Sequence, residues 1–220
     1  MRLSGLVLAV LSLVGCHKPI AIVAEDAGPT RVAAPAAKAA PEPTIADFVA
    51  QMGAVTTYAE AIAVTRPMMS DAVDETSDGA KILAVWASTH ALWKDVAPGI
   101  DETSYARVMK DVESERTKRL CIPGQIIQIA VDRSAGAPIA VGLIRSDAGN
   151  LFRFAGVGSS GDILEDSYAR ICGTVTGQYT YHNSGGGVGH AVQVVGMFDL
   201  AANRGRKLLQ PMAGMTAAKP

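Results

Sequence analysis

The chain has 220 residues, room for one domain of about 150 residues with appendages rather than several domains. Hydrophobic residues make up 49% and charged residues 19%, which excludes a chain disordered throughout. Lys and Arg number 20 against 21 Asp and Glu, so a formal net charge of -1 excludes bulk electrostatic attraction to nucleic acid or anionic lipid.

At the start of the chain, Arg2 precedes an apolar run over residues 6–14. The run is too short for the roughly 20 residues of a spanning helix and reads as a secretion signal. It closes on Leu13-Val14-Gly15-Cys16. This order resembles the lipobox of bacterial lipoproteins, in which cleavage leaves the cysteine as an N-terminus carrying a diacylglyceryl group and a further acyl chain. The resemblance implies that residues 1–15 are a signal peptide and that Cys16 is lipidated. Several acyl chains at about 0.8 kcal/mol per buried CH₂ would then anchor the chain to the cell envelope without spanning it. His17 stands where Asp would mark inner-membrane retention in that family, so the resemblance points to the outer membrane, facing the periplasm or cell surface.

Residues 16–44 are rich in Ala and Pro, lack a helical or alternating period, and read as a tether. From Thr44 as N-cap, Ile45, Phe48, Met52, Val55, Tyr58 and Ile62 recur at helical spacing and predict one helix to about residue 65. A second run, residues 79–96, carries Trp86, His90 and Trp93 on one face, a core stripe with a partly buried imidazole. A short third helix is expected at 105–110 after the polar start 101–104. The segment 45–111 is thus helical, arranged as an N-terminal hairpin.

After Arg119 the texture turns to β-branched residues punctuated by glycine. Strands are predicted at 120–133, 139–145, 150–157, 168–181 and 188–200, with turns between them. Ile127, Ile129 and Val131 alternate with Gln128, Gly124 suits a bulge or bend, and Arg153 sits between Phe152 and Phe154. The fold class is α+β, with the β part at 112–204 and a tail at 205–220 expected to be unstructured.

Residues 105–110, 119–129 (RLCIPGQIIQI), 161–177 (GDILEDSYARICGTVTG) and 191–198 (AVQVVGMF) together resemble the OB-fold domains of secreted bacterial proteins and lipoproteins. The resemblance spans residues 105–200 and implies a small five-stranded barrel; an SH3-like barrel and a small sandwich are the rival all-β readings. OB-like closure places the first strand beside the fourth, which implies a Cys121–Cys172 disulfide in an oxidising compartment.

The most unusual stretch is 179–190 (YTYHNSGGGVGH), expected as the loop between the fourth and fifth strands. In OB-folds that loop and the face of the second and third strands commonly bind ligands. The resemblance therefore implies Tyr179, Tyr181, His182, Asn183, Ser184 and His190 as candidate contacts; a plain glycine-rich turn is the competing reading. The stretch lacks a phosphate-loop ending and a following helix, so no nucleotide cofactor is implied. His182 and His190 lack a third ligand of evident spacing, so no metal is assigned. Glu165 and Asp166 are adjacent and no nucleophile elbow occurs, so no catalytic residue is assigned. Between residues 112 and 210 acids number 8 and bases 10, too small an excess for a single-strand binding groove. The expected function is a lipid-anchored, non-enzymatic binding module with an envelope protein or glycan as partner. An envelope enzyme using His182, His190 or Asp162, or a structural part of an envelope assembly, is the alternative.

Overall fold

The computed structural model describes residues 45–182 and 185–207. The expected signal peptide, Cys16, the tether, Thr44, Asn183, Ser184 and the tail from residue 208 lie outside the described residues.

The helical period over 45–65 forms two helices instead of one, α1 (Ile45–Met52) and α2 (Tyr58–Thr65). The Thr57 hydroxyl accepts from the Glu60 N–H while the Glu60 carboxylate accepts from the Thr57 N–H, and this capping box starts a new helix after Gly53. A two-residue strand, β1 (Ala72–Val73), follows. The next run also divides, into α3 (Asp78–His90) and α4 (Trp93–Val96). The division comes at Ala91, which is extended (ψ 145), and at Leu92, whose N–H donates to the Asp95 carboxylate at 2.8 Å. Trp93 is thereby taken off the face that carries Trp86 and His90. Helix α5 (Tyr105–Lys110) begins at Ser104, whose hydroxyl accepts from Arg107 N–H, and Asp111 caps a further turn, α6 (Val112–Glu115).

The remaining strands are β2 (Arg119–Asp132), β3 (Ile139–Ser146), β4 (Leu151–Gly156), β5 (Tyr168–His182) and β6 (Val188–Phe198), followed by the short α7 (Ala201–Arg204). They form one six-stranded sheet in the order β1-β5-β2-β3-β4-β6, and β5 also pairs with β6. The five long strands therefore close on themselves. The β4–β6 pairing is parallel and the other four in the ring are antiparallel, while β1 adds in parallel along the far half of β5.

Two apolar clusters sit on the two sides of the closed sheet. Ile122, Ile126, Ile144, Phe154, Ile171, Val194 and Phe198 fill its interior, each 0–1% exposed. On the outside, Leu83, Ala84 and Ala87 of α3 pack on Ile139, Ala155, Val157, Val195 and Met197. Tyr58 ties α2 to the same wall: its hydroxyl donates to Thr174 Oγ1 at 3.0 Å, and burial pushes the phenol up to about 12.

The first long strand departs from its expected alternation. Its register shifts between Ile126 and Gln128, so Ile127 is an extra residue and the inward positions pass from Leu120, Ile122 and Ile126 to Ile129. Gly124, expected at the bulge, instead allows a close approach: a Cβ there would lie 2.2 Å from the Arg145 carbonyl oxygen. Cys121 and Cys172 face each other across β2 and β5 and are joined in a disulfide, with a Cα–Cα distance of 4.0 Å.

Candidate functional site

Past the seam with β2, whose last pair is Arg119 with Thr174, β5 and β6 continue as an arm to the pair His182 with Val188, flanked by β4 on β6 as far as Val192 and by β1 on β5 at Tyr179 and Thr180. A bulge at Thr176 sets the alternation of the arm. Thereafter Tyr179 and Tyr181 lie on the outer face, opposite the small residues Ala191 and Gly189. Small partners let the rings lie across the sheet: a Cβ on Gly189 would come within 2.4 Å of the Tyr181 ring. The two rings are nearly parallel, 14° apart with centroids 6.0 Å from each other.

Arg153 completes the row. It reaches from β4 over β6, and its guanidinium carbon sits 4.1 Å from the Tyr179 ring centroid, a cation–π contact. Its Nε donates to Thr76 Oγ1 at 3.3 Å. Tyr179 is left 8% exposed, with one face under the guanidinium, whereas Tyr181 is half-buried.

The Arg153 side chain also forms one wall of a groove of about 590 Å³ between α3 and the outer sheet face. Ala84, Ile139, Val141 and Ala155 make the apolar floor. Asp74, Glu75, Asp132 and Lys81 stand on the rim with Arg153, giving three carboxylates against two cations.

The histidines take the opposite face of the arm. His182 Nδ1 lies 3.0 Å from Asp74 Oδ2, and His190 Nδ1 lies 3.1 Å from Thr180 Oγ1. Each imidazole has its own partner, and among the described residues no group of three or more His, Cys, Asp or Glu side chains is placed to hold a metal. Asp162, in the loop before β5, is at the other end of that 15-residue strand from His182, so the enzymatic trio of Asp162, His182 and His190 does not converge. Of the six candidate contacts, the structure thus gathers Tyr179 and Tyr181 on one face, puts His182 and His190 on the other, and leaves Asn183 and Ser184 outside the described residues.

Sequence reading missed Arg153 and the β1 segment with Asp74. The arginine between two phenylalanines marked an outward position in a strand, but its partner on β5 follows only from the closed strand order. Trp86 is buried at 6% exposed, as the core stripe required, but His90, stacked on it at 4.8 Å, is exposed rather than partly buried.

No family model matches the chain, and no curated protein matches it. Among solved structures, the crystal structure of the mitochondrial single-stranded DNA-binding protein from S. cerevisiae is similar over 41% of this chain and 99% of that chain, at 14% identity and a TM-score of 0.27.

Proposed function

We propose that this chain is a lipid-anchored bacterial envelope protein whose OB-like barrel is a non-enzymatic binding module. Cys16 carries the lipid, residues 17–44 hold the barrel off the outer membrane, and the arm formed by β5 and β6 meets an envelope partner. The observation that carries the reading is the use of the cysteines. The chain has three, and the Cys121–Cys172 disulfide occupies two, which suits an oxidising compartment. The third, Cys16, is the one that ends the apolar run in lipobox order. The OB-like assignment is supported by a ring in which the first long strand pairs with the second and fourth, and the third pairs in parallel with the fifth. The binding role is supported by a glycine-floored arm that projects beyond the closed ring with its tyrosines outward.

The test is expression of the full chain in a Gram-negative host, followed by membrane fractionation and mass analysis of the N-terminal peptide. A cysteine-initiated peptide bearing acyl chains in the outer-membrane fraction, and its loss in Cys16→Ala, is the expected outcome. A wild-type chain that stays soluble with an unmodified cysteine would overturn it.

A further inference from the structure

We infer that the outer-face strip Tyr181–Tyr179–Arg153, with the groove beside it, is a binding site for a neutral saccharide bearing amide groups. This inference rests on the binding-module reading and names its ligand class.

The geometry of the strip fits a flat ligand with an apolar face. Tyr181 lies across Gly189 and beside Tyr179, at an interplanar angle of 14°, so Tyr181 offers the accessible ring while Tyr179, 8% exposed beneath Arg153, backs it and seats the guanidinium. A pyranose presents C–H bonds on one face and hydroxyls around its rim. It gains from an aromatic ring beneath it and from planar polar side chains beside it. Arg153 is such a side chain. Its position is fixed from below by the Tyr179 ring and from the side by Thr76 Oγ1, which takes only the Nε hydrogen. No hydrogen bond from its two terminal nitrogens is found among the described residues. An amide carbonyl is a strong neutral acceptor for that fork.

The charges decide between a saccharide and the other ligand that stacks on aromatic rings, a single-stranded nucleic acid. Asp74, Glu75 and Asp132 on the rim outnumber Lys81 and Arg153. Lys81 is engaged with Asp78 at 3.3 Å and Asp74 with His182 at 3.0 Å, which leaves Glu75 and Asp132 on the rim against Arg153. A phosphate backbone laid along this groove would meet more like than opposite charge, whereas carboxylates accept hydrogen bonds from sugar hydroxyls. The groove of about 590 Å³ continues from Arg153 along α3, which gives room for sugar units next to the one on Tyr181.

The experiment is calorimetric titration of the full-length lipidated chain in detergent with chitotetraose, the tetrasaccharide of N-acetylglucosamine, and separately with an oligodeoxythymidine. The expected result is saccharide binding with a Kd between about 10 μM and 1 mM. Tyr181→Ala and Arg153→Ala should each weaken it about tenfold, with the disulfide unchanged and the thermal midpoint lowered by no more than the few degrees that one cation–π contact accounts for. Leu164→Ala, a 69% exposed residue of the loop before β5, should leave it as in the parent. No saccharide binding above about 1 mM, binding indifferent to Tyr181→Ala, or tighter binding of the oligonucleotide at the same residues would each overturn the assignment. Such a failure leaves the acylation and fractionation of Cys16 untouched, so it is distinguishable from failure of the envelope reading.

Discussion

Replacing both Cys121 and Cys172 by Ala tests how the barrel is closed. The bridge spans a sequence separation of 51 residues. On the chain-entropy model such a cross-link removes about 14 cal/mol/K from the unfolded ensemble, which is about 4 kcal/mol at room temperature. The side chains are 9% and 0% exposed, so the alanines also lose some packing against β5 and β6, adding to the same sign. For a domain of this size each kcal/mol moves the thermal midpoint by about 2–4 °C, so a fall of about 8–16 °C is expected. Guanidinium unfolding of the parent and the double variant, with and without reductant, reads the difference directly. The reduced parent should resemble the double variant, and the unfolding slope should rise as the unfolded chain expands. A loss below about 1 kcal/mol, or two thiols freely alkylated in the untreated native protein, would refute the reasoning that the bond restrains the unfolded chain across the β2–β5 seam.

Two further outcomes follow from the burial pattern. Leu83→Ala should cost about 2–5 kcal/mol, because Leu83 is 0% exposed between α3 and the sheet; a loss under about 1 kcal/mol by urea unfolding would mean that α3 does not seat there in solution. Tyr58 supplies a pH test. Burial penalises its phenolate and raises the phenol from the ordinary 10 to about 12, so this group adds no pH dependence to stability below pH 10, and stability falls as pH rises from 10 through 12, where the folded state must bury the charge or open. Ultraviolet phenolate titration should show a late phase near pH 12 from Tyr58. Tyr58→Phe should remove that late phase while costing about 1 kcal/mol at neutral pH through the lost bond to Thr174.

The strands were legible because each one pairs β-branched alternation with glycine or polar turns, and each observed boundary falls within two residues of the expected one. What the pattern could not show was where the alternation breaks. Ile127 is apolar, as a bulge residue beside an apolar strand can be, and nothing local tells it from Ile126. The helices failed at their interruptions for a related reason. Apolar spacing runs on through Val55 and through Leu92, while the breaks are set by single polar side chains, Glu60 and Asp95, that capture backbone N–H groups. β1 is two residues long, too short for any period. At the site, the expected loop over 179–190 is largely strand, with residues 179–182 in β5 and 188–190 in β6, and Gly189 serves to let the Tyr181 ring lie over it rather than to turn the chain. The joining of Arg153 to Tyr179 was not legible, since the two strands are not neighbours and meet only over β6.

The division of the outer sheet face gives the arm its role in the proposed function. Toward one end, the row Val141–Ala155–Val195 and, beyond it, Ile139, Val157 and Met197 are apolar and pack against α3, leaving only the groove edge open. Toward the other, the row changes to Arg153, Gln193 and Gly177, then to Ala191 and Tyr179, and finally to Gly189 and Tyr181. In the OB-like reading the ligand face is that of β3 and β4, and here much of it is occupied by the chain's own helix. A ligand laid across the whole face would have to displace Leu83, at a cost of several kcal/mol before any contact was made. The surface left over is the arm and the groove edge, narrow and lined by tyrosine, arginine and carboxylates. That footprint accommodates a few rings in a row rather than a long polymer wrapped around the barrel, so the helical layer limits what the barrel can bind as well as stabilising it.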